Sequence, residues 1–347
     1  MAMPARTDRT ESGSRPPKQL VRRGVYWLLL FCLLGSCDEA AGPRALKLAH
    51  GLPIDHPVHL GMERMAERVT ALSEGTLRID IYPSGQLGSE RQALELLQIG
   101  SLAMTKVSGA VLENFAPETK VLSLPYVFES RAHAYAFQDS ELGRSLLTGP
   151  EQYRLRGLAY FDAGFRSYYT KTKPVQTPAD LRGQKIRVQN SPSAIALVKA
   201  TGGAPTPISY GELYTALQQG VVDGAENNPP SFYRSRHYEV TPYYSLNEHT
   251  AVPDVLLIGT DAWNRLSAQQ RAWLQQAADE AVRYQRELWQ RAEAEALDAV
   301  RAAGVTVIRP DKGPFIAATR GVRDAFRDDP VLYPLLQQIE ALNPDRE

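Results

Sequence analysis

The sequence predicts an α/β fold, and three observations support this. Strand and helix patterns alternate over most of the chain, which favours a largely parallel sheet with helical crossovers. The stretch 183–228 combines a strand over 185–189, helices over 194–201 and 212–219, and polar residues after the strand patterns, as in sheets that bind ligands at strand ends. The segment 263–303 lacks proline and glycine, and a helix of that length would measure roughly 60 Å.

Each element has its own pattern. The segment 57–73 carries an apolar stripe that includes Met65 and Val69, which predicts an amphipathic helix ended by Gly75. A second helix is expected over 90–99, after a turn at 83–88. The other strand patterns are 44–52, 76–82, 103–108, 155–160, 167–170, 255–259 and 305–308, and a short helix is expected at the C-terminus.

The long helix is expected to brace two lobes, because it exceeds the width of one small domain. Its apolar stripe is predicted to include Ala281, Tyr284, Leu288 and Ala292. A coiled-coil dimer is the alternative, although the stripe is mostly alanine and lacks leucine at regular heptad positions.

The N-terminus predicts export. Two arginines at 22–23 precede an apolar run over 25–34, which is shorter than the roughly 20 residues that span a bilayer and is typical of a signal peptide. The run ends in LGSC at Cys37, which is similar to a bacterial lipobox, and Asp38 resembles an inner-membrane retention signal. We expect a lipoprotein signal peptide at 1–36, lipidation of Cys37 and a tether over 37–43 that holds the protein at the periplasmic face. An ordinary cleavage site with an incidental cysteine is the alternative.

Composition and motifs exclude several functions. Lysine plus arginine and aspartate plus glutamate both number 39, so the net charge gives no indication of a nucleic-acid partner. Both cysteines, Cys32 and Cys37, precede residue 40, so no disulfide or thiol site is expected after them. No nucleophile elbow, Walker loop or dinucleotide fingerprint occurs, which argues against an enzyme and predicts no cofactor. His50, His56 and His59 are not expected to bind a metal.

Several longer motifs occur in an order that resembles a known family. They are YPSGQLG at 82–88, SLPYVF at 123–128, KIRVQNSP at 185–192, PTPISYGELYTALQQG at 205–220 and VVDGAENNPP at 221–230. Over about 46–324 the chain is similar to the TRAP transporter substrate-binding proteins, the DctP family. The resemblance implies a two-lobe periplasmic substrate-binding fold with hinge strands and a long helix bracing both lobes. It also implies capture of an organic acid for delivery to an integral-membrane permease. The lobes are expected to comprise 44–164 with 253–292, and 165–252 with 293–347.

The resemblance also implies site residues. Arg187 matches the arginine that holds the ligand carboxylate, with a surface strand charge or a structural salt bridge as its alternative role. Arg166 matches a second cleft arginine, with an ion pair as the alternative. Asn227 matches an amide that meets the carboxylate, or a structural turn residue. Tyr210 matches an aromatic residue that packs on the ligand, or one that packs in the core.

Weaker expectations concern ligand hydroxyl groups. Asn228, Glu248 and His249 are candidates to meet them. Ser108 replaces an acidic residue of some sialic-acid-binding relatives, which argues against that ligand. A sugar acid, such as a uronate or aldonate, is slightly favoured over a C4-dicarboxylate. A sensory lipoprotein that signals to a membrane kinase is the alternative function.

Overall fold

The structure is a computed structural model that describes residues 44–346. The predicted signal peptide, the lipidation site at Cys37 and the tether over 37–43 lie outside the described residues. Among residues 44–346, no helix combines the length and apolar character that crossing a membrane requires.

In the described part of the chain, the strands form two sheets. They are β1 (Arg44–Ala49), β2 (Leu77–Tyr82), β3 (Met104–Ser108), β4 (Leu155–Phe161), β5 (Arg166–Thr170), β6 (Lys185–Val188), β7 (Ala204–Pro207), β8 (Gly224–Asn227), β9 (Tyr243–Thr250), β10 (Asp254–Gly259) and β11 (Thr306–Ile308). The first sheet has the order β2-β1-β3-β10-β4 and the second has the order β11-β9-β5-β8-β6-β7. The prediction of a largely parallel sheet with helical crossovers holds for β1 with β2 and β3, and for β6 with β7 and β8.

The antiparallel strands are those that carry the chain between the sheets. The chain leaves β4 at Phe161 and enters β5 at Arg166, and it returns from β9 at Thr250 to β10 at Asp254. β10 is antiparallel to β3 and β4, and β5 is antiparallel to β8 and β9. These two short crossings are the connecting strands of the two-lobe fold.

The described helices cover the sheets. They are α1 (Pro57–Leu72), α2 (Glu90–Gln98), α3 (Gly109–Leu112), α4 (Arg131–Asp139), α5 (Glu141–Thr148), α6 (Pro192–Ala200), α7 (Leu213–Gln218), α8 (Pro229–Arg234), α9 (Thr260–Asn264), α10 (Ala268–Ala302), α11 (Gly313–Asp324) and α12 (Leu332–Ala341).

The long helix α10 is shorter than predicted, because a separate short helix, α9, precedes it. Ser267 accepts a hydrogen bond from the backbone of Gln270 and forms a capping box, which starts α10 after the break. At 35 residues, α10 is about 50 Å long. It packs on α1 beside the first sheet and on α8 beside the second, so it braces both lobes as expected. Its stripe is buried inside this chain, unlike the exposed seam of a coiled-coil dimer.

The buried stripe of α10 differs in detail from the predicted one. Gln285 and Trp289 are buried, whereas Tyr284 is exposed and Leu288 is half-buried. The Gln285 amide exchanges two hydrogen bonds with the backbone of Asp162, of 2.8 and 2.9 Å. A buried glutamine therefore joins the middle of α10 to the first crossing.

Each sheet has a hydrophobic cluster on both faces. The first sheet separates a cluster around Val107 and Leu257 from one around Met104 and Leu256. The second separates clusters around Tyr169 and around Tyr168. Two lobes with independent cores follow from this arrangement.

The C-terminal helix α12 belongs to the core of the first lobe. Leu332, Leu336 and Ile339 lie in the cluster around Val107. The sequence-based division placed 293–347 with the second lobe. We therefore propose the predicted lobe ranges with α12 moved to the first lobe.

Candidate functional site

A cavity of about 670 Å³ lies between the two lobes. One wall consists of the turn and helix start over 84–95, which follow β2, together with Gly51 and Val111. The other wall consists of 187–190 at the end of β6, and of 208–212 after β7. The cavity thus lies at the carboxyl ends of parallel strands, where open α/β sheets bind their ligands.

The turn after β2 depends on Gly88. Its φ of +102° is a conformation that residues with a Cβ rarely adopt, and a Cβ would lie 2.7 Å from the Gln92 amide oxygen. Gln92 forms a capping box with Ser89 at the start of α2. The first wall of the cavity is therefore a rigid turn and helix start.

Arg187 lines the second wall and has no carboxylate partner among the described residues. It lies on β6, and its side chain is 1% exposed. Its Nε donates to the carbonyl of Ile208 at 2.8 Å, but its Nη1 is buried without any hydrogen-bond partner among the described residues. Burial lowers the pKa of Arg187. The cavity wall therefore carries a buried guanidinium with donors available to an anion.

Arg166, in contrast, is paired by the protein. Its guanidinium binds both carboxylate oxygens of Glu226, at 2.5 and 2.9 Å, and Nη2 also donates to the Glu226 carbonyl. Its Nη1 donates to the Asn227 side-chain oxygen at 2.9 Å. Burial raises the pKa of Glu226, but the positive charge of Arg166 outweighs this and holds it at about 2. The ion pair that the sequence left open as the alternative for Arg166 is present.

The two asparagines take part in local hydrogen bonds. The side-chain oxygen of Asn227 accepts from Arg166 and from the backbone N–H of Asn228, and its Nδ2 has no acceptor among the described residues. Asn228 is the N-cap of α8, where its side-chain oxygen accepts the N–H of Ser231 at 2.8 Å. Asn227 thus retains free donors, whereas the carbonyl of Asn228 is used to start a helix.

Tyr210 lies where a ligand could contact it. Its ring lines the cavity and its hydroxyl bonds Ser235 at 2.5 Å. The ring also meets His237 edge-on, at a centroid distance of 5.9 Å. Burial raises the pKa of Tyr210, so the hydroxyl stays protonated. The ring therefore both lines the cavity and packs against a core cluster of the first lobe, and its contact with a ligand stays a prediction.

His249 and Glu248 lie in different places although they are neighbours in β9. His249 contacts the Arg166 pair, with Nε2 3.5 Å from Glu226, and burial lowers its pKa. Glu248 instead pairs with Lys312 and lines a separate cavity of about 400 Å³. The main cavity therefore contains Arg187 and Tyr210 but not Glu248.

A separate, smaller cavity lies beside the paired arginine. It is about 10 Å³ in volume and is lined by Arg166, Glu226 and His249, among others. Gln189 lines both this cavity and the large one, so the two are separated by as little as this one side chain.

Sequence reasoning missed a buried charge cluster in the first lobe. Lys106 on β3 is 2% exposed and contacts Glu90 at 3.0 Å and Asp254 at 3.2 Å. Burial lowers the pKa of Lys106, but the two carboxylates outweigh it and raise the pKa overall. Glu90 lines the main cavity and also accepts the N–H of Ser108. The alternating pattern of β3 could have indicated a lysine on one face, but nothing in the sequence pairs it with Glu90.

The histidines form hydrogen bonds with protein groups. His50 Nε2 lies 3.0 Å from His59 Nδ1, and His59 Nε2 lies 3.1 Å from Glu63. Burial lowers the pKa of His50 to about 2. Among the described residues, no group of three or more histidine, cysteine or acidic side chains has the arrangement of a metal site.

Comparison with known proteins gives one consistent result. Residues 48–329 match the family model described as "Bacterial extracellular solute-binding protein, family 7". The chain is 34% identical over 301 residues to the uncharacterized protein YiiZ of Salmonella typhimurium, covering 86% of this chain and 92% of that protein.

Solved structures give the same picture. The fold is similar to that of a TRAP periplasmic solute-binding protein from a Bradyrhizobium species in complex with D-galacturonate. The TM-score is 0.84 at 39% identity, covering 86% of this chain and all of that one. It is also similar to a TRAP periplasmic solute-binding protein of Pseudomonas putida with bound D-glucuronate. There the TM-score is 0.83 at 35% identity, and 86% and 97% of the two chains are covered.

Proposed function

The chain belongs to family 7 of the bacterial extracellular solute-binding proteins, and from this membership we propose that its ligand is a hexuronate, D-galacturonate or D-glucuronate. It is an extracytoplasmic solute-binding protein of the TRAP type that captures a small organic carboxylate. The observation that carries the choice of ligand is Arg187, a buried guanidinium that lines a large cavity and has no anionic partner among the described residues.

The ligand carboxylate completes the hydrogen bonding of Arg187. A guanidinium offers a planar fork of donors matched to two carboxylate oxygens. Closure of the lobes removes the water that would otherwise weaken the pair. We propose that Arg187 binds the carboxylate and that the ring of Tyr210 packs against the sugar.

The opposite wall favours hydroxyl groups over a second carboxylate. Glu90 and Asp254 bring two carboxylates to Lys106, so this cluster has an excess of negative charge. Among the described residues, both hydrogen bonds to the Glu90 side chain go to one oxygen, and we propose that the other accepts from a ligand hydroxyl. Among the described residues, Arg91 of the cavity lining pairs with Glu95 and Arg166 pairs with Glu226, so neither is a free cation for the second carboxylate of a dicarboxylate. A polyhydroxylated monocarboxylate therefore fits better than a C4-dicarboxylate.

The remaining site residues have supporting roles in this proposal. Arg166 has one Nη1 proton left after its bonds to Glu226 and Asn227, and the Asn227 amide has its two donors. We propose that these donors complete the site, with His249 fixing Glu226 behind them. Asn228 contributes by placing α8, and Glu248 acts outside the main cavity.

We propose a receptor rather than a catalyst. Glu226 lies beside Asn227 as one candidate base, but the charge of Arg166 holds its pKa at about 2, far from the neutral range that suits a general base. Family membership implies TRAP permease subunits as partners and thereby favours transport over signalling to a kinase. Tethering to the inner membrane through Cys37 is part of the proposal and is testable by mass spectrometry of the mature N-terminus.

A thermal-shift screen of the protein from Asp38 onward tests the ligand. The panel contains both hexuronates, C4-dicarboxylates, aldonates and neutral hexoses. A ligand at 100 times its Kd adds about 2.7 kcal/mol of stability, which raises Tm by several degrees. We expect this response to a hexuronate. A response confined to dicarboxylates or to neutral sugars would refute the proposal.

A further inference from the structure

His56 and Ser231 meet across the two lobes. His56 caps the N-terminus of α1 in the first lobe, Ser231 lies on α8 in the second, and both are buried. His56 Nε2 lies 3.2 Å from Ser231 Oγ. The same two elements make a second contact at the surface, where Asp55 pairs with Arg234 at 3.1 Å. The start of α1 is therefore held on α8 by a buried and an exposed contact.

The direction of the buried hydrogen bond follows from the helix cap. The N–H of Val58 donates to His56 Nδ1 at 3.3 Å, so Nδ1 is the acceptor of the ring. The proton of a neutral imidazole then lies on Nε2, which donates to Ser231. Burial holds the pKa of His56 well below its usual value, which keeps the ring neutral.

Helix α8 links this contact to the cavity. The N–H of Ser235, the C-cap residue of α8, donates to the carbonyl of Ser231 at 3.1 Å. The Ser235 hydroxyl bonds the Tyr210 hydroxyl at 2.5 Å, and the Tyr210 ring lines the cavity. The contact between His56 and Ser231 is thus linked through one turn of α8 to a cavity wall in the second lobe.

We propose that His56 is a positioning residue for the ligand site, acting through Ser231 to place Tyr210 when the lobes meet. This inference rests on the proposed function, in which the cavity binds the ligand. Its consequence is that a side chain without access to the cavity controls affinity, because the Tyr210 hydroxyl is held in place only when α1 is seated on α8.

A double-mutant cycle on ligand affinity tests the proposal. His56→Asn keeps a good helix cap but is too short to reach Ser231. Tyr210→Phe keeps the ring and removes the hydroxyl. With D-galacturonate and D-glucuronate in calorimetry, we expect each single variant to bind about tenfold more weakly, the usual effect of one neutral hydrogen bond. We expect the double variant to be no weaker than the weaker single variant.

A matched control distinguishes a positioning effect of His56 on ligand affinity from the effect of losing any contact between the two lobes. Asp55→Asn removes the neighbouring contact between the same two elements, and because Asp55 is half exposed we expect affinity within about twofold of wild type. Losses that multiply in the double variant, or an equal loss in the control, would overturn the proposal.

A measurement without ligand distinguishes failure of this inference from failure of the proposed function. Long-range nitrogen–proton NMR spectra of the unliganded protein report the His56 tautomer. We expect protonated Nε2 and a shift of that nitrogen in Ser231→Ala. Protonated Nδ1, or no shift, would overturn the positioning role even if a hexuronate binds. If the expected spectra are found but no uronate binds, the proposed ligand is wrong, while the hydrogen bond between His56 and Ser231 is confirmed.

Discussion

Arg187→Met should abolish tight ligand binding without weakening the unliganded fold. Binding loses the partner of a buried charge pair, which usually costs about 2 to 5 kcal/mol, or roughly 30-fold to several thousandfold in Kd. The unliganded protein loses the Nε bond to Ile208, worth about 1 kcal/mol. It also no longer buries a cation whose Nη1 lacks a partner, and that burial costs several kcal/mol. The two changes oppose each other, so we expect Tm without ligand to stay the same or to rise.

Calorimetry with a hexuronate and thermal unfolding without ligand measure the two effects separately. Arg187→Lys is the matched variant, since it keeps the charge but not the planar fork of donors, and we expect it to remain well below wild-type affinity. The reasoning would be refuted if Arg187→Met bound within threefold of wild type. It would also be refuted if the variant lost several degrees of Tm before any ligand was added, because Arg187 would then be a structural residue.

Three further predictions follow from the charged and titratable groups of the site. Arg166→Met leaves the Glu226 carboxylate buried without its arginine and with only His249 beside it, and should lower the free energy of unfolding by about 3 to 5 kcal/mol in urea denaturation; an unchanged midpoint would contradict the pairing. Glu90→Gln removes negative charge from the first wall, and should narrow the preference for hexuronates over C4-dicarboxylates in competition calorimetry; an unchanged ratio would exclude Glu90 as the source of that preference. His50 and His237 have pKa values lowered by burial to about 2 and about 3, so below pH 6.5 only the unfolded chain takes up their protons. The free energy of unfolding should therefore decrease as the pH is lowered, by about 2 kcal/mol per histidine between pH 7 and pH 5. A thermal-unfolding series in which Tm stays constant over this range would contradict the burial of these histidines as neutral rings.

Local patterns predicted the elements well, because each depends on residues close in sequence. The Ile186 and Val188 alternation placed Arg187 on a strand, and the structure confirms that strand. The long helix was predicted from the absence of proline and glycine, but its stripe was assigned to Tyr284 and Leu288 instead of Gln285 and Trp289. An apolar pattern cannot identify a buried glutamine, since its burial depends on two hydrogen bonds to Asp162, 123 residues away.

Glu248 and His249 were expected to meet the same ligand, but β9 is irregular where they lie. Glu248 has a φ of +49°, a left-handed conformation, and the register of β5 with β9 shifts between Arg166 and Tyr168. The structure places His249 on the Arg166 pair and Glu248 on Lys312. Such an irregularity depends on the partner strand, so the sequence of β9 alone could not show it.

The role of a buried arginine depends on which group supplies its counter-charge. The sequence around the arginine does not show that group when it lies far away in the chain. Arg166 and Arg187 are both buried on neighbouring parts of one sheet, and their own residues do not distinguish them. The difference is Glu226, which β8 brings to Arg166 through the pairing of β5 with β8, 60 residues apart in the chain. Among the described residues, one carboxylate serves the two guanidinium groups, and we propose that the ligand supplies the second. Replacing Glu226 with Gln should therefore free Arg166 for a ligand, and we expect the variant to gain affinity for dicarboxylates relative to hexuronates, which calorimetry with both ligands would measure. If the relative affinities stay unchanged, Arg166 does not face the ligand.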